Sequence, residues 1–277
     1  MKKKFLALAL FPLIATSCGD NASYPFMLGL GGPDVPVGQY STKILQYFGV
    51  DEAALYDAGL ISYGKDVKEV TTHVKEGMVH AGFIYKTDAV SANLKIVEAA
   101  TTEMTGGDVI YPAAVLKRTT VASAAQAFLS YMHSTSASAR YEAVGFKSLA
   151  KIPDSEVTPA PSGSFTIKVA AAASMTESLS AVVEDYKAVA PNITVDCYFG
   201  SSGTLLKQIQ EGYDYDIFLS AGQKQMNTCE TEERLLENTR FNMLQNEVVL
   251  SVPDNNPSSF KNIEGLMYYL KYRLSIL

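Results

Sequence analysis

The chain has no tryptophan, and only three cysteines and three histidines among 277 residues. Each scarcity closes off a class of chemistry. The cysteines fall at Cys18, Cys197 and Cys229, with no Cys-x-x-Cys pair and no Cys/His spacing that frames a metal. Cys197 lies in a strand-like run and Cys229 in a helix-like one. They read as two reduced, semi-buried thiols, with a bridge as the open alternative in an oxidising compartment. His73, His80 and His133 are scattered and read as surface or packing residues. No metal and no cofactor is therefore expected.

Basic residues are also short, 23 Lys and Arg against 29 Asp and Glu, for a formal charge of -6. Lys2, Lys3 and Lys4 are three of the 23, and without them the balance falls to -9. Such a surface argues against nucleic acid, whose phosphates require a basic footprint. It also denies an anionic ligand any long-range attraction. An anion site here must work through short-range, fixed dipoles. Enzyme signatures are missing as well. There is no Gly-x-x-x-x-Gly-Lys-Ser/Thr loop, and Gly29-Leu-Gly31-Gly32-Pro33 lacks the third glycine of a dinucleotide loop. Ser174 and Ser202 sit in no Gly-x-Ser-x-Gly elbow, and no nucleophile has an evident base. No catalytic residue is expected.

What the sequence does carry begins at its N-terminus. Lys2–Lys4 precede an apolar run from Phe5 to Ile14, followed by Ala15-Thr16-Ser17-Cys18. This is the charged region, short apolar region and small-residue cleavage site of a secretory signal. The run is too short to remain as a membrane-spanning helix. Cys18 directly after Thr-Ser resembles a bacterial lipoprotein signal, which implies an acylated Cys18, with plain secretion as the alternative. Residues 1–18 are thus read as signal and 19–25 as a polar tether. The expected location is periplasmic or at the cell surface, anchored to the membrane by lipid.

From Phe26 onward short apolar runs alternate with amphipathic stretches. Met27–Leu30, Ala81–Tyr85, Leu94–Val97, Val109–Leu116, Phe165–Ala171, Ile193–Phe199, Asp216–Leu219 and Glu247–Val252 read as strands. Gln39–Phe48, Val67–Glu76, Ala122–His133, Met175–Val189, Leu205–Gln210 and Ser258–Tyr269 read as helices. The alternation predicts α/β architecture with parallel sheets flanked by helices. Residues 147–164, with Pro153, Pro159, Pro161 and Gly163, read as a linker between two α/β blocks. The blocks show no convincing internal sequence repeat.

Several strand ends share one design: an apolar strand, small or hydroxyl residues, then a helix. Ala171-Ala-Ala-Ser174-Met175-Thr176, Gly200-Ser201-Ser202-Gly203-Thr204, Val35-Pro36-Val37-Gly38 and Gly64-Lys65-Asp66-Val67 all follow it. A helix start offers unpaired N–H groups and about half a positive charge, so it can cradle an oxyanion. Ordinary N-capping is the alternative for any one of them.

These same residues carry a resemblance. Val169–Thr176, Tyr198–Leu205 and Asp216–Met226 are similar to the first half of the periplasmic molybdate-binding proteins of ABC transporters. Gly31–Tyr40, Asp66-Val67, Ala81–Ala89, Ile110–Ala114 and Tyr141–Phe146 are similar to the second half. The halves stand in reversed order, which resembles a circular permutation; a fragment of a tandem gene is the competing explanation. The resemblance implies a two-lobed, type II periplasmic-binding-protein fold. One lobe would hold 26–108 completed by 252–277, and the other 109–251. Either Met27–Gly31 or Arg273–Leu277 would supply the strand before the Pro33–Gly38 loop, the other fraying or adding an edge. The implied ligand is molybdate or tungstate, held by the hydroxyls of Ser174, Ser202 and Tyr85 and the amides of Val37 and Val67. Implied partners are an ABC permease and the membrane, for a protein acting as a monomer. Two departures stand out: the Val37 loop is one residue shorter, with Gly32 where an Asp is usual, and Gly203 replaces a frequent serine. A phosphoester-processing enzyme and an interaction lipoprotein that keeps the fold alone are the other readings.

Overall fold

The computed structural model describes residues 26–254 and 259–276. The signal, the tether and Cys18 lie outside the described residues. The first lobe begins with β1 (Leu28–Gly31), α1 (Pro36–Tyr47), α2 (Glu52–Asp57), β2 (Ile61–Gly64), α3 (Val67–Lys75), β3 (Ala81–Tyr85), α4 (Lys86–Ser91), β4 (Lys95–Ala99) and α5 (Thr102–Thr105). The chain then crosses into a second lobe. There follow β5 (Val109–Val115), α6 (Ala122–Met132), α7 (Thr135–Ala143), β6 (Lys147–Ser148), β7 (Phe165–Ala172), α8 (Thr176–Val189), β8 (Ile193–Gly200), α9 (Ser202–Glu211), β9 (Ile217–Leu219), α10 (Gln223–Thr231) and β10 (Phe241–Asn246). It returns through β11 (Val248–Val252) and ends in α11 (Ile263–Ser275).

The two sheets are built on one plan. The first has the order β2-β1-β3-β11-β4, and the second β8-β7-β9-β5-β10, with β6 added at the edge. In each, three parallel strands from the lobe itself are followed by a strand arriving from the other lobe and then by one that leaves or returns. The sheets are consequently mixed, not parallel as the alternation suggested. A crossing strand enters its sheet where the parallel strands end, so it must run against them. Val248 at the start of β11 pairs with Tyr85 at the end of β3. β11 therefore belongs to the first sheet, and residues 248–251, expected with the second lobe, sit in the first.

Local sequence explains the elements. β3 is apolar and buried at every position, as a central strand should be. β8 is an edge strand, and along it exposed Thr194, Asp196 and Tyr198 alternate with half-buried Val195, Cys197 and Phe199. Cys197 and Cys229 are free thiols, and burial pushes each up to about 12. β1 takes the slot between β2 and β3, the strand that leads into the Pro33–Gly38 loop. Arg273–Ser275, the other contender, form the last turn of α11, which buries Ile263, Leu266, Met267 and Leu270 along one face. Residues 147–164 are not a free linker but are pinned to the second lobe. Asp154 accepts from the Ser136 N–H (3.0 Å), the Thr158 N–H donates to Ser130 Oγ (2.9 Å), and Asn192 Nδ2 donates to the Pro161 carbonyl (2.9 Å).

Leu28 is fully buried in β1 between two neighbouring strands. Leu28→Ala should cost about 2–5 kcal/mol, the range for deleting a packed leucine side chain, measured by urea unfolding at constant m-value.

Candidate functional site

Four helix starts face one another where the two lobes meet. α1 follows β1 and α3 follows β2 in the first lobe; α8 follows β7 and α9 follows β8 in the second. Between them lies a small cavity of about 200 Å³. Val37, Val67, Tyr85, Ser174 and Ser202, the five residues singled out from the sequence, all line it.

Each helix start is prepared differently. α1 has Val35 as its cap, without a side-chain bond, and Pro36 at its first position. Proline has the required φ and no N–H, so the first amides offered are those of Val37 and Gly38. At α3 the Asp66 carboxylate accepts from the Glu69 N–H (3.0 Å), while Glu69 accepts from the Lys65 N–H (2.6 Å). That reciprocal cap consumes two donors and leaves the Val67 amide with no acceptor in its own helix. At α9 the cap is Ser201, whose Oγ accepts from the Thr204 N–H at 3.1 Å. Ser202 is thereby spared for other work.

The hydroxyls are oriented by bonds behind them. Ser202 Oγ accepts from the Ala221 N–H (2.9 Å), leaving its own proton to donate. Ser174 Oγ lies 2.9 Å from the Tyr111 hydroxyl. Asn246 Nδ2 donates to that same Tyr111 oxygen (3.2 Å) and to Thr87 Oγ1 (3.0 Å), while its Oδ1 accepts from the Glu247 N–H (2.9 Å). Asn246 thereby fixes the Tyr111 oxygen, and in the contact with Ser174 either hydroxyl can donate. Tyr111 and Asn246 carry no signal of this role in the sequence, because the contacts span 63 and 135 residues. The Tyr85 hydroxyl donates across the lobes to the Ala221 carbonyl at 3.2 Å. Burial raises the Tyr85 and Tyr111 hydroxyls far above the ordinary phenol value, so both stay protonated.

No lysine or arginine lines the cavity. Lys68, which follows Val67 in sequence, is turned to two carboxylates instead. Its Nζ lies 2.9 Å from Asp88 Oδ1 and 2.6 Å from Glu177 Oε2, and Glu177 stands on α8 of the other lobe. Asp88 is fully buried, and burial pushes its carboxyl up to about 6 despite the opposing pull of Lys68. Lys68 is raised in turn, since the two carboxylates outweigh the effect of burial. Among the described residues no group of three or more His, Cys, Asp and Glu could hold a metal ion.

Two lobes, each a sheet flanked by helices, joined by crossing strands with a small cavity between them define a two-lobed binding-protein fold. The sequence pattern of the bacterial extracellular solute-binding proteins matches residues 25–147 and 167–276, and the chain belongs to that family. It is 37% identical over 131 residues to a candidate ABC transporter substrate-binding lipoprotein of Bacillus subtilis, YvgL, covering 46% of this chain and 48% of the relative. It is 39% identical over 87 residues to the molybdate-binding protein ModA of Haemophilus influenzae, covering 31% of this chain and 34% of that one. The chain thus spans between about a third and a half of these relatives' length. A phosphate-binding protein of a Streptococcus pneumoniae phosphate ABC transporter shares the fold, at TM-score 0.55 and 16% identity over 90% of this chain and 96% of the other. Among the described residues no helix is long and apolar enough to cross a membrane.

The Asp88 carboxyl is testable by NMR titration. Its native value near 6 exceeds the ordinary 3.8, so the stability it contributes is present below about pH 4 and is lost as pH rises through about 6. Lys68→Met should move the Asp88 titration further upward, because the group that lowers it is gone. A wild-type value at or below 4, or a downward move in the variant, would contradict this arrangement.

Proposed function

We propose that this protein is the extracytoplasmic receptor that captures molybdate or tungstate and passes it to an ABC permease. The observation that carries the reading is that Ser174, Ser202, Tyr85, Val37 and Val67 all line one small cavity whose wall holds no lysine or arginine, with Tyr85 able to turn its proton to an ion only by leaving the Ala221 carbonyl. Neutral donors suffice for a doubly negative ion, because each hydrogen bond to a charged acceptor contributes about 1.5–3 kcal/mol. A cavity made of donors also disfavours a protonated oxyanion. Hydrogen phosphate would bury an O–H with no acceptor, at a cost of about 1–3 kcal/mol. Val37, after the one-residue-shorter loop at Gly32, is among the residues that line the cavity, which supports a role for its amide. The similarity to ModA over part of the chain supports the choice of ion. In this reading acylated Cys18 tethers a monomeric receptor to the membrane, and its halves stand permuted relative to the molybdate-binding proteins.

Calorimetry with molybdate, tungstate, sulfate and phosphate tests the proposal. Heat is expected with the first two; none with either would end it. Ser174→Ala and Ser202→Ala should each weaken molybdate binding by at least about 1 kcal/mol, about fivefold in Kd. Unchanged affinity in both variants would remove these hydroxyls from the site.

A further inference from the structure

The second position of α9 is Gly203, directly beside Ser202. Glycine there is unfavourable for the helix by about 0.5–1 kcal/mol relative to alanine, so something else requires it. A Cβ placed on Gly203 would stand 2.1 Å from the Asp34 carbonyl oxygen and 3.0 Å from its carbon. Asp34 belongs to the opposite lobe, in the loop between β1 and α1. On the far side of that loop, a Cβ on Gly222 would stand 3.3 Å from Pro36 Cβ. One turn along α9, Lys207 Nζ pairs with Asp34 Oδ2 at 2.6 Å, with both side chains largely exposed. The loop of the first lobe and the Pro36 that follows it thus pass close to two glycines of the second, and the same loop leads to Val37.

We propose that Gly203 is a positioning residue that sets how far the lobes close. It touches no ligand. Its missing side chain lets the backbone of Asp34 seat against α9, which brings the Val37 amide and the Ser202 hydroxyl to opposite walls of one small cavity. Any Cβ at 203 would force the Asp34 loop outward by roughly 1.2–1.5 Å, to the approximately 3.3–3.6 Å at which carbon and carbonyl oxygen normally meet. The donors of the two lobes would then no longer reach a compact ion together. The Lys207–Asp34 pair is a weaker contributor, since exposed ion pairs are worth about 0–1 kcal/mol. The inference deepens the receptor reading and rests on it for the identity of the ion.

The test compares wild type, Gly203→Ala, Gly203→Ser and Lys207→Met in three measurements: thermal melting without ligand, calorimetry with molybdate, and small-angle scattering with and without molybdate. Both Gly203 variants should melt at or above the wild-type temperature, because the helix gains a better former. They should nonetheless bind molybdate at least tenfold more weakly and keep a larger radius of gyration at saturation. Lys207→Met should change affinity less than threefold. Wild-type affinity and compaction in Gly203→Ala would overturn the proposal, as would an equal loss in Lys207→Met. A wild-type protein that takes up none of the four oxyanions would sink the receptor reading instead. The radius of Gly203→Ala against that of wild type would then decide the glycine's role alone, equal radii overturning it.

Discussion

The amides of a helix's first turn find no acceptor within that helix, and in this protein four such turns look at one another across the meeting line of two lobes. Everything else in the structure serves to bring them there and keep them apart from competing acceptors. Caps that could have consumed the useful donors are arranged to take others: Asp66 takes the Glu69 amide, and Ser201 takes that of Thr204. The Ala221 amide donates to Ser202 Oγ, which leaves the Ser202 proton free. Tyr111 stands behind Ser174. Because the phenols are buried and held protonated, the wall does not change its donor character over the physiological pH range.

The duplicated sheet plan explains why the site lies between lobes and not within one. In each sheet the parallel strands end toward the other lobe, and each end opens into a helix start. Neither lobe alone encloses anything, since each supplies one wall. The same duplication means that a chain beginning in either lobe traces the same architecture. A reversed order of halves would thus leave the fold and the cavity unchanged.

Much of this was legible in sequence. The apolar run Ala81–Tyr85 has the bounds of β3, and hydroxyl-rich strand ends pointed to Ser174 and Ser202. Less was legible where a residue's role is set by a distant partner. Asn246 belongs to no motif read from the sequence, yet it sits at the second crossing and bonds Thr87 and Tyr111, far apart in the chain. The mixed sheet direction was hidden for the same reason, because antiparallel pairing of β11 with β3 depends on where the crossing strand enters, not on its composition. Pro153, Pro159 and Pro161 suggested a hinge-like linker. Their segment is instead held by helix caps and side-chain amides of the lobe it borders.

Charge placement completes the physical argument. Lys68 follows a cavity residue directly in sequence, and a lysine aimed inward would hold an anion by a contact available in either lobe alone. It is drawn off by Asp88 and by Glu177 of the opposite lobe, a cluster that carries more negative than positive charge. What one wall can offer by itself is then limited to the amides, hydroxyls and helix starts it carries, without a full positive charge. Neutral donors act only at hydrogen-bonding distance, and the two walls reach that distance together only when the Asp34 loop is seated against Gly203. Binding and closure become one event, with differential affinity for the closed form supplying the drive.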